Sequence, residues 1–265
     1  MEPLAIGRPD PLAGRVALVT GVSRRAGIGY AIAMRLAQLG ADLCVHSWVP
    51  YDAASPWGAD PGGIDAVLKD LRGTGRRIAH VSADFADPAA PERVVATAFD
   101  TLGQVDILVA NHAYSRLGGL EELTAEQIDQ HFQVNVRATL LLVQAWAARH
   151  DDSRPGGRVI LMTSGQHLGP MPGELAYVAS KGALHQLTQS LAAHLAPRGI
   201  TVNTVNPGAT DTGYADPETY AAVLAREPMG RWGQPDDAAR LIAWLATDDA
   251  RWVTGQILNS TGGGP

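Results

Sequence analysis

The stretch Arg15-Val-Ala-Leu-Val-Thr20-Gly-Val-Ser-Arg-Arg-Ala-Gly-Ile-Gly29-Tyr-Ala-Ile-Ala-Met-Arg-Leu-Ala-Gln-Leu39-Gly40 decides the fold. It opens with a short apolar run ending at Thr20, the pattern of a strand buried on both faces. A glycine-bearing turn follows. Ile28, Ile32, Leu36 and Leu39 then recur at helical spacing, and Gly40 supplies the stop. Strand, turn and helix thus occupy the first 40 residues.

The same alternation continues outward. Strands are predicted at Asp42 to His46, Ile78 to Ser82 and Ile107 to Ala110, with helices at Ile64 to Arg72 and Pro91 to Leu102. Thr124 followed by Gln127 makes a capping box. Beyond it Ile128, Phe132, Val136, Leu140, Val143 and Ala147 trace one apolar helix face. Strand Arg158 to Thr163, helix Leu175 to Ala196, strand Thr201 to Val205, helix Pro235 to Ala246 and strand Gln256 to Asn259 complete the series. Strands separated by helices need crossover connections, so seven parallel strands are expected, without a dividing linker. A leader is expected over residues 1–11 and one catalytic domain over 12–265. Residues 47–63 and 209–229 lack periodicity; both are candidate binding loops, the second a candidate lid.

Composition excludes several classes of function. The 265 residues are 46% hydrophobic and 18% charged, too apolar for disorder. A net charge of -6 and no basic run argue against nucleic acid. The single cysteine, Cys44, permits no disulfide framework and fits a reducing, cytoplasmic setting. No apolar run is long enough for a membrane span. None of the eight histidines forms a close-spaced metal pattern, so no metal is expected. Trp146, Trp244 and Trp252 read as core, whereas Trp48 and Trp57 flank the first long loop, where an indole can stack on adenine.

The chemistry-bearing residues fall after strands. In the turn Thr20 to Gly29, glycines let backbone approach a pyrophosphate, and the helix N-terminus offers free N–H groups. Tyr177-Val-Ala-Ser-Lys181 places a phenol and an ammonium on one helix face. An ammonium held near a phenol stabilises phenolate and brings its pKa down toward neutrality. Lys and Arg total 21, yet only Lys69 and Lys181 are lysine, so position 181 does not merely ask for a cation. Ser164, Asn111 and Asn206-Pro-Gly208 each end a predicted strand, the edge where open α/β sheets place ligands. His167, between Ser164 and Tyr177, is a candidate for the substrate pocket.

Together these motifs resemble the short-chain dehydrogenase/reductase family from Leu12 to Gly264. The resemblance is carried by the Thr20-Gly21 turn, Asp84, Asn111-His-Ala113, Asn135, Ser164, Tyr177-x3-Lys181, Asn206-Pro-Gly208 and Thr254-Gly-Gln256. It implies one doubly wound Rossmann domain, an α/β fold with a seven-stranded parallel sheet covered by helices on both faces. It implies catalysis by Asn135, Ser164, Tyr177 and Lys181, with Ser164, His167 and Tyr177 at the substrate. Asn135 would distort its helix to hold a water. The dinucleotide would lie against Gly21, Ser23, Arg24, Arg25, Gly27, Ile28, Gly29, Ser47, Asp84, Phe85, Asn111, Tyr177, Lys181, Pro207, Gly208, Thr210 and Thr212. A homotetramer and a small carbonyl or alcohol substrate are also implied.

Two departures stand out: the glycine turn is two residues longer than the commonest family form, and His112 replaces a frequent Asn, with only local packing consequences expected. Enoyl-thioester reductases of the superfamily place six residues between Tyr and Lys, so the spacing of three here favours carbonyl chemistry. The expected activity is NADP(H)-dependent reduction of a ketone or 3-oxoacyl group, most like the 3-oxoacyl-acyl-carrier-protein reductases. The alternatives are an NAD-dependent alcohol dehydrogenase and a non-catalytic dinucleotide-binding regulator. NADP(H) is preferred over NAD(H) because His46-Ser47-Trp48 ends its strand without an acid, while Arg24 and Arg25 offer guanidiniums to an extra phosphate. Asp52 points the other way should it fold onto the ribose.

Overall fold

Alternation of apolar residues along each strand sets two opposite faces of one sheet. In the computed structural model, which describes residues 10–154 and 156–264, β1 (Val16–Val19) sends Ala17 and Val19 to one side and Val16 and Leu18 to the other. The remaining strands are β2 (Asp42–Ser47), β3 (Ile78–Ser82), β4 (Ile107–Ala110), β5 (Arg158–Met162), β6 (Thr201–Asn206) and β7 (Ile257–Asn259). All pair in parallel, in the order β3-β2-β1-β4-β5-β6-β7. The order in which successive strands are added therefore reverses between β1 and β4, leaving a crevice beyond their carboxyl ends. The expected leader lies outside the described residues except for Asp10 and Pro11.

Helices cover both faces. On one side α1 (Ile28–Gln38), α3 (Gly63–Arg72) and α9 (Pro235–Ala246) bury Ile32, Leu36, Leu71 and Ile242. On the other, α4 (Ala90–Leu102), α6 (Ala138–Arg149) and α7 (Leu175–Leu195) bury Val94, Leu142, Trp146 and Leu195. Each side chain of this size contributes roughly 1.5–3 kcal/mol on leaving water. Cys44 is buried among these residues, and burial pushes its thiol up to about 12.

The structure changes several expectations. The two non-periodic segments contain short helices, α2 (Val49–Ala53) and α8 (Pro217–Leu224). The helix after Thr124 is composite: α5 (Ala125–His131), a π-helical stretch (Phe132–Arg137) and α6. Its capping box forms as expected. Its buried side, however, carries His131, Asn135, Thr139, Leu142 and Trp146, and Ile128 and Phe132 are exposed. Site residues take the inner face, and the apolar stripe read from the sequence turns partly outward. Trp146 is core, whereas Trp244 lies on the outer side of α9 and Trp252 is 95% exposed in the turn before β7, where nothing packs over it.

Candidate active site

The glycine turn brings α1 hard against β1. Gly21 has φ +73, and a Cβ on Gly29 would stand 2.2 Å from Gly21 O and 2.7 Å from Asn111 Nδ2, so only glycine fits at 29. Asn111 Nδ2 donates to Thr20 O (3.0 Å), tying the turn to the end of β4. Gly27 caps α1 without any side-chain hydrogen bond, so the N–H groups of its first turn face the crevice with the positive end of the helix dipole. A cavity of about 420 Å³ opens there. Gly21, Ser23, Arg24, Gly27, Ile28, Gly29, Asp84, Phe85, Asn111 and Thr212 of the expected dinucleotide set line it. A helix N-terminus, close backbone and aromatic walls fit a dinucleotide.

Two neutral imidazoles floor the cavity. His46 stacks on Phe85 with centroids 4.0 Å apart. Its Nε2–H donates to Ala83 O (2.9 Å), while Nδ1 accepts from Gly21 N (3.3 Å). Burial pushes its pKa down to about 4. His112 Nε2–H donates to Val134 O (3.0 Å), and Thr20 Oγ1 donates to its Nδ1 (2.8 Å). Burial holds His112 well below the usual range too. His112 is thus a wall of the cavity as well as a packing residue.

Other expected residues lie elsewhere. Arg25 turns out to Asp60, with Nη2 2.7 Å from Oδ1, and does not line the cavity. Ser47 is fully buried, hydrogen-bonded with His80 Nε2 (2.8 Å), because β2 ends with that side chain facing β3. Pro207 lines a second cavity of about 340 Å³ with Ala209, Met229 and Gly262. Gly208 packs against Thr261, and Thr210 donates to Pro207 O (3.1 Å). His167 is exposed, 3.1 Å from Asn259 Oδ1 and ring to ring with His185; it lines neither cavity.

Ser164, Tyr177, Lys181 and Asn135 converge beside β5. The Ser164 hydroxyl acts on the Tyr177 phenol in the direction that favours its ionised form. Lys181 is 2% exposed; Nζ donates to Met162 O (2.9 Å) and stands 5.7 Å from the Tyr177 ring centroid. Burial first, then the Glu174 carboxylate, raises the phenol above its ordinary pKa, while burial pushes Lys181 down to about 8. The expected lowering of the phenol is therefore absent, because burial and Glu174 outweigh the Ser164 hydroxyl. Asn135 sits in the π-helical stretch; Oδ1 accepts from Tyr114 N (2.7 Å), and Nδ2 donates to Tyr114 O (2.9 Å) and Ser180 Oγ (2.9 Å).

Sequence reasoning missed Tyr51 and Tyr114. The Tyr51 hydroxyl donates to Ser115 O (3.2 Å) and accepts from Ser115 N (3.0 Å), fastening α2 across the crevice to the loop after β4. Both rings line the cavity. The only signal was the long non-periodic segment around Tyr51. Trp48 and Trp57 also line the cavity.

A family model described as enoyl-(acyl carrier protein) reductase matches residues 21–264. Human dehydrogenase/reductase SDR family member 4 is 35% identical over 264 residues, covering 97% of this chain and 90% of the relative. The chain belongs to the short-chain dehydrogenase/reductase family. As an SDR it is an NAD(P)-dependent oxidoreductase. The uncharacterized oxidoreductase YjdA of Bacillus subtilis is 42% identical over 250 residues, covering 94% of this SDR and 96% of that protein. A short-chain dehydrogenase from Burkholderia cenocepacia, solved in complex with NADP, superposes with a TM-score of 0.84 at 37% identity, covering 96% and 98% of the two chains.

Proposed function

We propose that this SDR reduces a ketone or 3-oxoacyl group with NADP(H), using Tyr177 as proton donor, Ser164 to hold the substrate oxygen, and Lys181 and Asn135 to support them. The observation that carries the reading is the meeting of Ser164, Tyr177 and Lys181 at the carboxyl end of β5, beside a cavity that opens at a bare helix N-terminus. When bound, the nicotinamide would supply the hydride. The phenol, held above its ordinary pKa, keeps its proton until a substrate oxygen accepts it, which suits reduction. Lys181 keeps a charge beneath the ring, and Asn135 fixes the Tyr114 peptide at the crevice wall.

Carbonyl rather than C=C reduction is supported by the three residues between Tyr177 and Lys181 and by the Ser164 hydroxyl on the phenol. NADP(H) is supported by the NADP complex of the Burkholderia relative; Arg24 lines the cavity but is paired there with Asp52. A homotetramer remains part of the proposal, to be measured by light scattering. The deciding experiment follows oxidation of NADPH and NADH with ketones, quinones and 3-oxoacyl thioesters. Turnover of a carbonyl substrate, faster with NADPH, is expected; no turnover with any of them would favour a non-catalytic nucleotide binder.

A further inference from the structure

The carboxyl ends of β5, β6 and β7, neighbours in the sheet, are laced together by hydrogen bonds that run through His167. The direction of each bond follows from one backbone group. Gly208 N–H can only donate, and it donates to Asn206 Oδ1 (3.0 Å). Asn206 is fully buried, and with its oxygen so fixed its Nδ2 is the group that donates to Asn259 Oδ1 (3.1 Å).

Asn259 Oδ1 is thereby set as an acceptor, so His167 Nε2, 3.1 Å away, must donate to it. His167 Nδ1 stands 3.1 Å from Ser164 O, and a backbone carbonyl also only accepts. A neutral imidazole has a single N–H and satisfies one of these oxygens; the imidazolium satisfies both. His167 is exposed, so water supports its charge. On α7, His185 lies ring to ring with it, centroids 4.7 Å apart, and burial together with the His167 charge holds His185 below its ordinary pKa. The positive charge of the pair therefore sits on His167. Lys181, one turn earlier on α7, is bonded to Met162 O, and the Tyr177 phenol is held protonated. Behind Asn259 the second cavity presents Glu227 and two arginines already in ion pairs, Arg231 with Asp237 and Arg240 with Asp236.

We propose that His167, carrying a proton on each ring nitrogen, is a positioning residue for Ser164: it ties the Ser164 carbonyl to Asn259 at the end of β7 and so fixes the turn from which the Ser164 hydroxyl meets the substrate oxygen. This rests on the carbonyl-reductase reading. Loss of the second proton leaves a nitrogen lone pair facing an oxygen, which loosens the turn Gly165–His167 and aims the hydroxyl less well. The effect falls on the substrate step and spares nucleotide affinity.

Between about pH 6 and 7.5, where histidines titrate, kcat/KM of the wild-type enzyme for a carbonyl substrate is expected to fall about threefold, the worth of one lost hydrogen bond. His167→Gln keeps a donor but has no titrating ring; it is expected to lower kcat/KM at pH 6, to abolish that fall, and to leave the NADPH dissociation constant within about twofold. Asn259→Asp gives the imidazolium a carboxylate partner and is expected to move the fall to higher pH. His185→Gln is expected to keep the fall in place. Nitrogen-15 spectra of the imidazoles, in which the His167 signals are those missing from His167→Gln, are expected to show both of its ring nitrogens protonated at pH 6, and to higher pH in Asn259→Asp than in wild type. A fall that persists in His167→Gln, or that does not move in Asn259→Asp, overturns the proposal while the reductase reading stands. So does a His167 ring with one bare nitrogen at pH 6. If no carbonyl substrate is turned over, the reductase reading fails and the positioning role with it.

Discussion

Tyr177 and Lys181 each sit where burial works against their charged forms. The phenol stays protonated, and the ammonium, pushed down to about 8, loses its proton as pH rises through that value. Carbonyl reduction is therefore expected to fall above about pH 8, and a pH profile of kcat/KM that stays level to pH 10 would contradict this. Tyr177→Phe keeps the ring and deletes the proton; at least about a 100-fold loss in kcat is expected, with NADPH affinity nearly intact by titration. Lys181→Arg is expected to cost about tenfold or more, since a guanidinium cannot occupy the buried site where Nζ meets Met162 O. The sequence made these two residues visible by their spacing and by the scarcity of lysine. It could not reveal that Met162 takes the ammonium, because a strand carbonyl carries no sequence signal.

At the scale of elements, the glycine turn and α1 act as one piece. Gly29→Ala forces a methyl group into Gly21 O and Asn111 Nδ2, so the turn or the helix must shift. A loss of about 1–3 kcal/mol in unfolding free energy by denaturant titration is expected, together with weaker nucleotide binding. Native stability in that variant would mean the contact relaxes without cost. The α5 to α6 segment teaches a different lesson. Its apolar spacing predicted one buried stripe, but the π-helical stretch rotates the register and places His131 and Asn135 inward. Asn135 holds Tyr114 by both its N–H and its C=O, while Ile128 and Phe132 face outward.

Across the whole molecule, the buried neutral imidazoles make the fold acid-sensitive. His46 in the folded state titrates at about 4, against 6.5 for the free side chain. Between these values the unfolded chain binds the proton and the folded chain refuses it, so stability falls as pH drops from about 6.5 to about 4. The loss attributable to His46 is on the order of 3 kcal/mol, and His112 acts in the same direction. Thermal melts across this window are expected to show a steep decline that is shallower in His46→Gln. A flat Tm between pH 7 and 4.5 would place the imidazoles in contact with water.

By itself the sequence determined the parallel sheet, its strand count and the glycine turn at the first strand, and it marked Ser164, Tyr177 and Lys181 as candidates. These follow from periodicity and short spacings, which neighbours along the chain enforce on one another. Only the tertiary structure decided the partners of Arg24 and Arg25, the inward face of the 125–149 segment, the outward position of His167 and the rise in the Tyr177 pKa. Arg25 and Asp60 lie 35 residues apart in the chain. Such pairings, like the burial that raises a phenol, depend on which elements the sheet order brings together, and side-chain pattern within one segment carries no record of that.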